Sequence, residues 1–375
     1  MKKLPSITVL VPTFNRGHFL AECLDSLLSQ TLPAIQILVV NDGCTDHTQK
    51  VLKPYQNKIE VLETAQIGKP SAINAGLEKV RGEYLWIFDD DDVALTDALE
   101  RFVRPLENDS QCGFSYSPFF FTKTQPKNHR LGSVMCELRL PDLKKKGFLI
   151  PLLENNFLGG AALFARTSCY QKTGLFDPRL LRSQDYDMAI RIARQFTGIR
   201  APGGATFHYR QHQEDRGNIR DRFVASLRMA KWLEYDQIIF RKLYQELDLK
   251  NYLPPNAPLE NRCREALLQR LAIMANKLLV PEVLKDLEEL SPLVKQSPFS
   301  VEEQSLIQIM ATLPYYDTGH LLDDPECLEA VRRIPRLRNK MGWAILKECK
   351  EKPGLRHIMD SFHYWFQLYT GIQNR

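Results

Sequence analysis

The chain has 375 residues, 44% of them hydrophobic and 25% charged, with a formal net charge of +5. This is the make-up of a soluble globular protein of one large or two ordinary domains, long enough to bury a real core. No apolar run approaches the roughly 18–20 residues that span a bilayer, and so mild a charge does not argue for a nucleic-acid partner. The N-terminus runs straight into a strand-like segment, so no signal peptide is expected. The eight cysteines are scattered without a Cys-x-x-Cys pair, so free thiols in a reducing cytoplasm are expected rather than disulfides or a zinc site.

In chain order, residues 6–12 (Ser-Ile-Thr-Val-Leu-Val-Pro) read as a strand broken by Thr13-Phe14-Asn15-Arg16-Gly17. Residues 18–30 place Phe19, Leu20, Cys23, Leu24, Leu27 and Leu28 at helical spacing. A second strand over 35–40 ends in Asn41-Asp42-Gly43-Cys44-Thr45-Asp46. A helix through Tyr55 follows, with Thr45 or Asp46 as its cap. A third strand covers 59–62. Gly68-Lys69-Pro70 opens a helix over 71–80, and residues 83–88 (Glu-Tyr-Leu-Trp-Ile-Phe) form a buried strand. Strands alternating with helices predict βαβ units and a mostly parallel α/β sheet.

The last of these strands delivers Asp89-Asp90-Asp91-Asp92. Ligands of open parallel sheets bind outside the carboxyl ends of the strands. Four carboxylates crowded there call for a positive partner. A hard divalent cation such as Mn2+ or Mg2+, with a phosphorylated substrate completing its shell, meets that need. The plainer reading is a solvated acidic loop. Asp42, at the exit of the second strand, can accept hydrogen bonds from a base ring or serve as a turn aspartate. Lys69, ahead of a helix, can meet a phosphate or remain a solvated loop lysine.

Three stretches stand in order: Val-Pro-Thr-Phe-Asn-Arg (11–16), Val-Asn-Asp-Gly-Cys-Thr-Asp (40–46) and Gly-Glu-Tyr-Leu-Trp-Ile-Phe-Asp-Asp-Asp-Asp (82–92), with Gly68-x-x-x-Ala72-x-Asn74-x-Gly76 between them. The series resembles the family 2 inverting glycosyltransferases of the GT-A fold, over about residues 5–215. The resemblance implies a GT-A-like Rossmann-type domain over 1–220 and a sugar donor carried on a nucleoside diphosphate, UDP by family frequency. It implies that Pro12, Thr13, Asn15 and Asp42 cradle the nucleoside, with Lys69 beside them. Asp89-x-Asp91 matches the family's Asp-x-Asp, with Asp91 on the metal and Asp89 nearer the ribose. Asp90 stands where the family commonly has a small polar residue, adding a charge on the nucleotide side.

Residues 96–106 predict a helix and 113–117 a strand. Residues 118–150, with Lys123, Lys127, His129, Arg130 and Lys144-Lys145-Lys146, read as an irregular acceptor-side segment. Residues 155–166 end in a small-residue strand, where Gly159-Gly160 lets a sugar approach the backbone. Ser183-Gln184-Asp185-Tyr186-Asp187-Met188 reads as a helix start, with Ser183 as cap and acidic residues in the first turn. The resemblance places the family's catalytic Glu-Asp pair on Gln184-Asp185. That makes Asp185 the general base, which must be ionised to act, and Gln184 a departure. Residues 205–212 form a last strand. Its His212 matches a histidine that binds metal or diphosphate in several family members. Arg210 and Arg216 are candidates to neutralise phosphate.

Beyond about residue 220 long amphipathic stretches, 223–247, 262–279 and 305–313, predict a helical C-terminal region over 221–375. The run Arg332-Arg333-Ile-Pro-Arg336-Leu-Arg338-Asn-Lys340 and the aromatics Phe362, Tyr364, Trp365, Phe366 and Tyr369 are a candidate peripheral membrane surface at the inner face. A helical bundle with an aromatic core is the preferred reading. The expected reaction is metal-assisted transfer of a sugar to a glycan, lipid or protein hydroxyl with inversion. A nicotinamide dehydrogenase is set aside, because Gly-x-Gly-x-x-Gly is missing after the first strand. A non-catalytic nucleotide-sugar or partner-binding protein is the competing class.

Overall fold

A computed structural model of the protein describes residues 4–212, 214, 224–255, 257–260, 262–295, 297–312, 320–351, 363–364 and 367–370. The chain divides into two compact units, residues 1–142 with 155–225, and residues 143–154 with 226–375.

The first unit opens with β1 (Ile7–Thr13), α1 (Gly17–Leu28), β2 (Gln36–Asp42), α2 (Thr48–Leu52), β3 (Glu60–Thr64), α3 (Lys69–Leu77) and β4 (Tyr84–Ile87). Every residue of β1 and β2 is buried, as near-continuous apolar runs demand of strands covered on both faces. Helix α1 turns Phe19, Leu20, Cys23, Leu24 and Leu27 to the interior, matching its helical spacing. After β4 come β5 (Val93–Ala94), α4 (Ala98–Asn108), β6 (Cys112–Tyr116), β7 (Phe120–Thr124), β8 (Leu131–Glu137), α5 (Leu143–Lys146) and α6 (Leu149–Glu154). The two short helices α5 and α6 belong to the second unit. Then follow β9 (Leu163–Arg166), α7 (Thr167–Thr173), α8 (Gln184–Ala193), β10 (Thr197–Arg200) and β11 (Phe207–Gln211).

The main sheet has the order β10-β6-β9-β4-β1-β2-β3. Strand β1 runs parallel to both β2 and β4, with Leu10 opposite Leu38 and Ile87. Thr13, Asp42 and the aspartate run therefore leave the sheet at the same edge. Strand β9 is antiparallel to β4, with Trp86 opposite Phe164. Its entrance, Gly159-Gly160, thus comes to that edge as well. A second sheet, β5-β11-β7-β8, carries the chain from the aspartates to His212.

The expected glycine motif has a packing origin. A Cβ on Gly76 would lie 2.5 Å from Leu10 Cδ1 and 3.0 Å from Val40 Cγ2, so only glycine lets α3 lie this close to β1 and β2. Asn74 holds the other side of α3. Its amide donates to Phe176 O at 2.8 Å and its carbonyl accepts from Phe176 N–H at 2.9 Å.

Three local expectations change. Residues 118–150 are not irregular but hold the β7–β8 hairpin and two short helices. Ser183 stands at the N-cap position of α8, yet it has φ +53° and its side chain makes no capping hydrogen bond. The helix expected through Tyr55 is a single α-turn, α2, continued as a 3-10 turn over Lys53–Tyr55. Asp46 does serve its start, accepting from Thr48 N–H at 3.0 Å.

The second unit is helical: α9 (Arg228–Glu246), α10 (Cys263–Asn276), α11 (Val280–Val294), α12 (Val301–Thr312), α13 (Pro325–Arg332) and α14 (Pro335–Glu351). Helix α10 is its axis, with every residue from Ala266 to Ala275 buried. No helix among the described residues is long and apolar enough to cross a membrane. Of the aromatic cluster, Phe362, Trp365 and Phe366 lie outside the described residues.

Candidate active site

The aspartate run sits where β4 leaves the sheet, and each of its members has a different neighbour. Asp89 accepts a hydrogen bond from Lys69 Nζ at 2.6 Å. Asp90 is buried, lies against the Thr13 hydroxyl, and stands 3.5 Å from Arg16 Nη1. Burial first, then the charges of Asp91 and Asp89, push its carboxyl up to about 7 against the pull of Arg16. Asp91 receives the Arg16 guanidinium and lies 3.0 Å from His212 Nε2. Asp92 is 1% exposed and accepts from Arg210 N–H at 2.9 Å, while its Oδ2 finds no hydrogen-bond partner among the described residues. Burial and the neighbouring aspartates drive the Asp92 carboxyl well above the ordinary range. One oxygen each from Asp89, Asp91 and Asp92 fall within 4.8 Å of one another. All-oxygen ligands, a buried oxygen with no partner among the described residues and crowded negative charge are what a hard divalent cation fits.

Positive charge is supplied by the chain itself. Burial works against the ionised forms of Arg16 and Lys69, yet the aspartates outweigh it and raise both groups above their ordinary values. Arg16 was only a letter of the first motif in the sequence; its partner lies 75 residues further on. Arg210 is not available to a phosphate. It is fully buried, donates to Asp91 O, His129 O and Glu22, and lies over the Phe19 ring at 4.8 Å. It ties β11 to the aspartate loop. Arg216 lies outside the described residues.

Asp42 and Asn15 organise loops. Asp42 Oδ1 accepts from Thr64 Oγ1 and Ile67 N–H, both at 2.7 Å, and Oδ2 from Gly68 N–H at 2.8 Å, closing the turn that presents Lys69. Asn15, at φ +52°, accepts from Thr45 N–H at 2.7 Å and Asp46 N–H at 3.2 Å. Pro12 and Thr13 pair in register with Val40 and Asn41 at the ends of β1 and β2.

Across from the aspartates, Asp185 stands on the first turn of α8. Gly160 N–H donates to its Oδ2 at 2.8 Å. The same Gly160 has φ +35°, and a Cβ there would lie 2.8 Å from Asp89 Oδ2, so a side chain would be strained and would displace the Asp89 carboxylate. The glycine thus spaces Asp89 from Asp185. The Trp86 indole N–H, bonded to Ala161 O at 2.7 Å, pins this turn from below. Asp187 points away, to Arg191 at 2.8 Å. Arg191 in turn bonds Thr173 O and Leu175 O and seats α8 on α7. Lys69, Asp89, Gly159, Gly160, Gln184 and Asp185 line one cleft together with the apolar side chains of Ile73, Leu158 and Tyr170.

Residues 8–171 match the family model Glycosyl transferase family 2, and over that span the chain is a member of that family. An uncharacterized glycosyltransferase of Rickettsia prowazekii is 31% identical over 196 residues, which cover 51% of this chain and 59% of that relative. Two solved structures share the fold. Mannosyltransferase PcManGT from Pyrobaculum calidifontis, in complex with GDP-Man and Mn2+, is 18% identical with a TM-score of 0.52 over 94% of this chain and 89% of that one. S. aureus TarS 1-349, in complex with UDP-GlcNAc, is 16% identical with a TM-score of 0.50 over 99% of this chain and 93% of that one. The α/β unit therefore has the GT-A fold, and a helical C-terminal region follows it.

Proposed function

We propose that the protein is an inverting glycosyltransferase that moves a sugar from a nucleoside diphosphate, UDP in the first instance, to an acceptor hydroxyl. The observation that carries this reading is the shared cleft. Asp185 faces Lys69 and Asp89 across it, and Gly160 keeps the two carboxylates apart. In the proposed reaction the acceptor oxygen forms a bond to the anomeric carbon while the bond to the diphosphate oxygen breaks. The hydroxyl proton passes to the Asp185 carboxylate. The Gly160 N–H holds Oδ2 and so orients the carboxylate for the transfer. Attack from the face opposite the leaving group inverts the centre.

Asp89, Asp91 and Asp92, with His212 beside Asp91, would hold Mn2+ or Mg2+. When bound, the cation offsets the negative charge that grows on the leaving diphosphate. Lys69 and Arg16 are the cations of the chain on the same edge, and they are proposed to contact the phosphates once the donor displaces them from the aspartates. Pro12, Thr13, Asn15 and Asp42 are proposed to bound the nucleoside, and a glycan, lipid or protein supplies the acceptor. The donor class is shared with solved neighbours that hold UDP-GlcNAc and GDP-Man.

The test combines two variants with a panel of nucleotide sugars. Asp185→Asn is expected to bind nucleotide as the native chain does and to lose transfer by about a hundredfold or more, the scale of a general base. Asp91→Ala is expected to weaken UDP binding in the presence of Mn2+. Transfer unchanged in Asp185→Asn rejects it as base, and UDP binding indifferent to chelation rejects the metal.

A further inference from the structure

His212 faces the aspartates, and two residues on Glu214 faces the other way. It meets two histidines that the transfer reaction does not use. His18 comes from the first turn of α1 and His129 from the β7–β8 turn. His18 Nε2 lies 2.9 Å from Glu214 Oε1, and His129 Nδ1 lies 3.5 Å from the same oxygen. The two imidazoles are 4.7 Å apart between centroids. One ring nitrogen from each histidine and one Glu214 oxygen fall within 4.8 Å of one another.

We propose that His18, His129 and Glu214 form a second metal site, one that binds a zinc-class divalent cation and shares no ligand with the aspartate cluster. Hydrogen bonds from both imidazoles to the Glu214 carboxylate are the competing arrangement, and metal binding distinguishes the two. Two imidazole nitrogens and a carboxylate oxygen converging on one point are what a tetrahedral cation needs. At metal–nitrogen distances of about 2.0–2.1 Å, tetrahedral ligands stand roughly 3.4 Å apart. The spacings of 2.9 and 3.5 Å bracket that value. Nitrogen ligands select zinc, cobalt or nickel over magnesium, whereas the all-oxygen aspartate set has the opposite preference. Three protein ligands leave a fourth position open to water.

The ligands are held from behind. His129 has φ +57°, its N–H donates to Gln125 O at 3.0 Å, and its carbonyl accepts from the buried Arg210 at 2.7 Å. Glu214 N–H donates to His212 Nδ1 at 3.3 Å, so the new site and the aspartate cluster stand back to back on one short segment. A cation there would clamp α1, the β7–β8 turn and Glu214 together.

The experiment measures Zn2+ and Mn2+ binding to the full chain by equilibrium dialysis, and the visible absorption of the Co2+-loaded chain. The variants are His129→Asn, Glu214→Gln and Asp91→Ala. Asparagine tolerates the left-handed turn at 129, so this variant keeps the fold. Zinc binding at least about tenfold weaker in His129→Asn and in Glu214→Gln, retained in Asp91→Ala, together with tetrahedral Co2+ bands lost only in the first two, supports the site. Zinc affinity unchanged in His129→Asn, zinc lost only in Asp91→Ala, or no zinc bound by the native chain overturns it. Because the readout is metal binding alone, failure here leaves the proposed transfer reaction untouched, and failure of that reaction leaves this site standing.

Discussion

Asp90 is the least comfortable charge in the aspartate run, buried between two other carboxylates with Arg16 as its counterweight. Its carboxyl rises to about 7 in the folded chain, from an ordinary value of 3.8. The folded state therefore holds the Asp90 proton more tightly than the unfolded state. The stability this supplies is complete below the unfolded value and is lost as pH rises through the folded one. Asp90→Asn removes that loss. In the metal-free chain it is expected to raise the melting temperature increasingly from about pH 4 to about pH 7, with a constant advantage above. A melting-temperature difference that does not change with pH would show that Asp90 is not the group under tension. At this scale the sequence marked most of the residues at the site but not their partners. Arg16 and Asp91 are 75 positions apart, and Asp92 differed from its neighbours in the run only once one of its oxygens was seen to be orphaned. Asp42, proposed to bound the nucleoside, also holds the 64–68 turn that presents Lys69, a task its position in the sequence did not reveal.

Among the elements, the βαβ run from β1 to β4 was readable because buried parallel strands write unbroken apolar runs. Strand β8 was not readable: its seven residues are half-buried or exposed, so no alternation marks it. Helix α10 misled in the other direction. It read as amphipathic, yet it is buried all round, as the axis of a bundle is. Such a helix must settle its charges in pairs. Next to it Lys277 and Asp236, 0% and 1% exposed, meet at 2.7 Å beside the Phe240 ring. Burial lowers the Lys277 ammonium against the pull of Asp236. Asp236→Asn removes the opposite charge from that buried ammonium and is expected to cost about 3–5 kcal/mol in urea unfolding near neutral pH. The deficit should shrink as pH rises, because a lysine with a lowered folded value binds fewer protons when folded. A variant as stable as the native chain at neutral pH would mean the pair contributes nothing.

At the scale of the whole molecule, the two units interleave in sequence. Residues 143–154 fall between parts of the α/β unit but belong to the helical one. Ile150, Leu152 and Leu153 are at most 2% exposed, and Gln269 of α10 donates to Glu154 at 2.9 Å. A fragment ending at Ala225 keeps α6 and loses α10. It is expected to expose those three apolar side chains, bind a hydrophobic dye and aggregate on size-exclusion chromatography. A monodisperse fragment of that length that binds no dye would show α6 to be independent of the helical unit. What the sequence determined by itself is whatever depends on neighbours along the chain: strand and helix periodicity, the glycines that α3 and the 159–160 turn require, and the family to which residues 8–171 belong. Only the tertiary structure decided which side chains share a space. Arg16 reaches Asp91 because the parallel order of β4, β1 and β2 carries distant strand ends to a single edge; Asp185 shares a cleft with Asp89 because antiparallel β9 begins at that edge; and His18, His129 and Glu214 converge because the second sheet brings the β7–β8 turn and the end of β11 together.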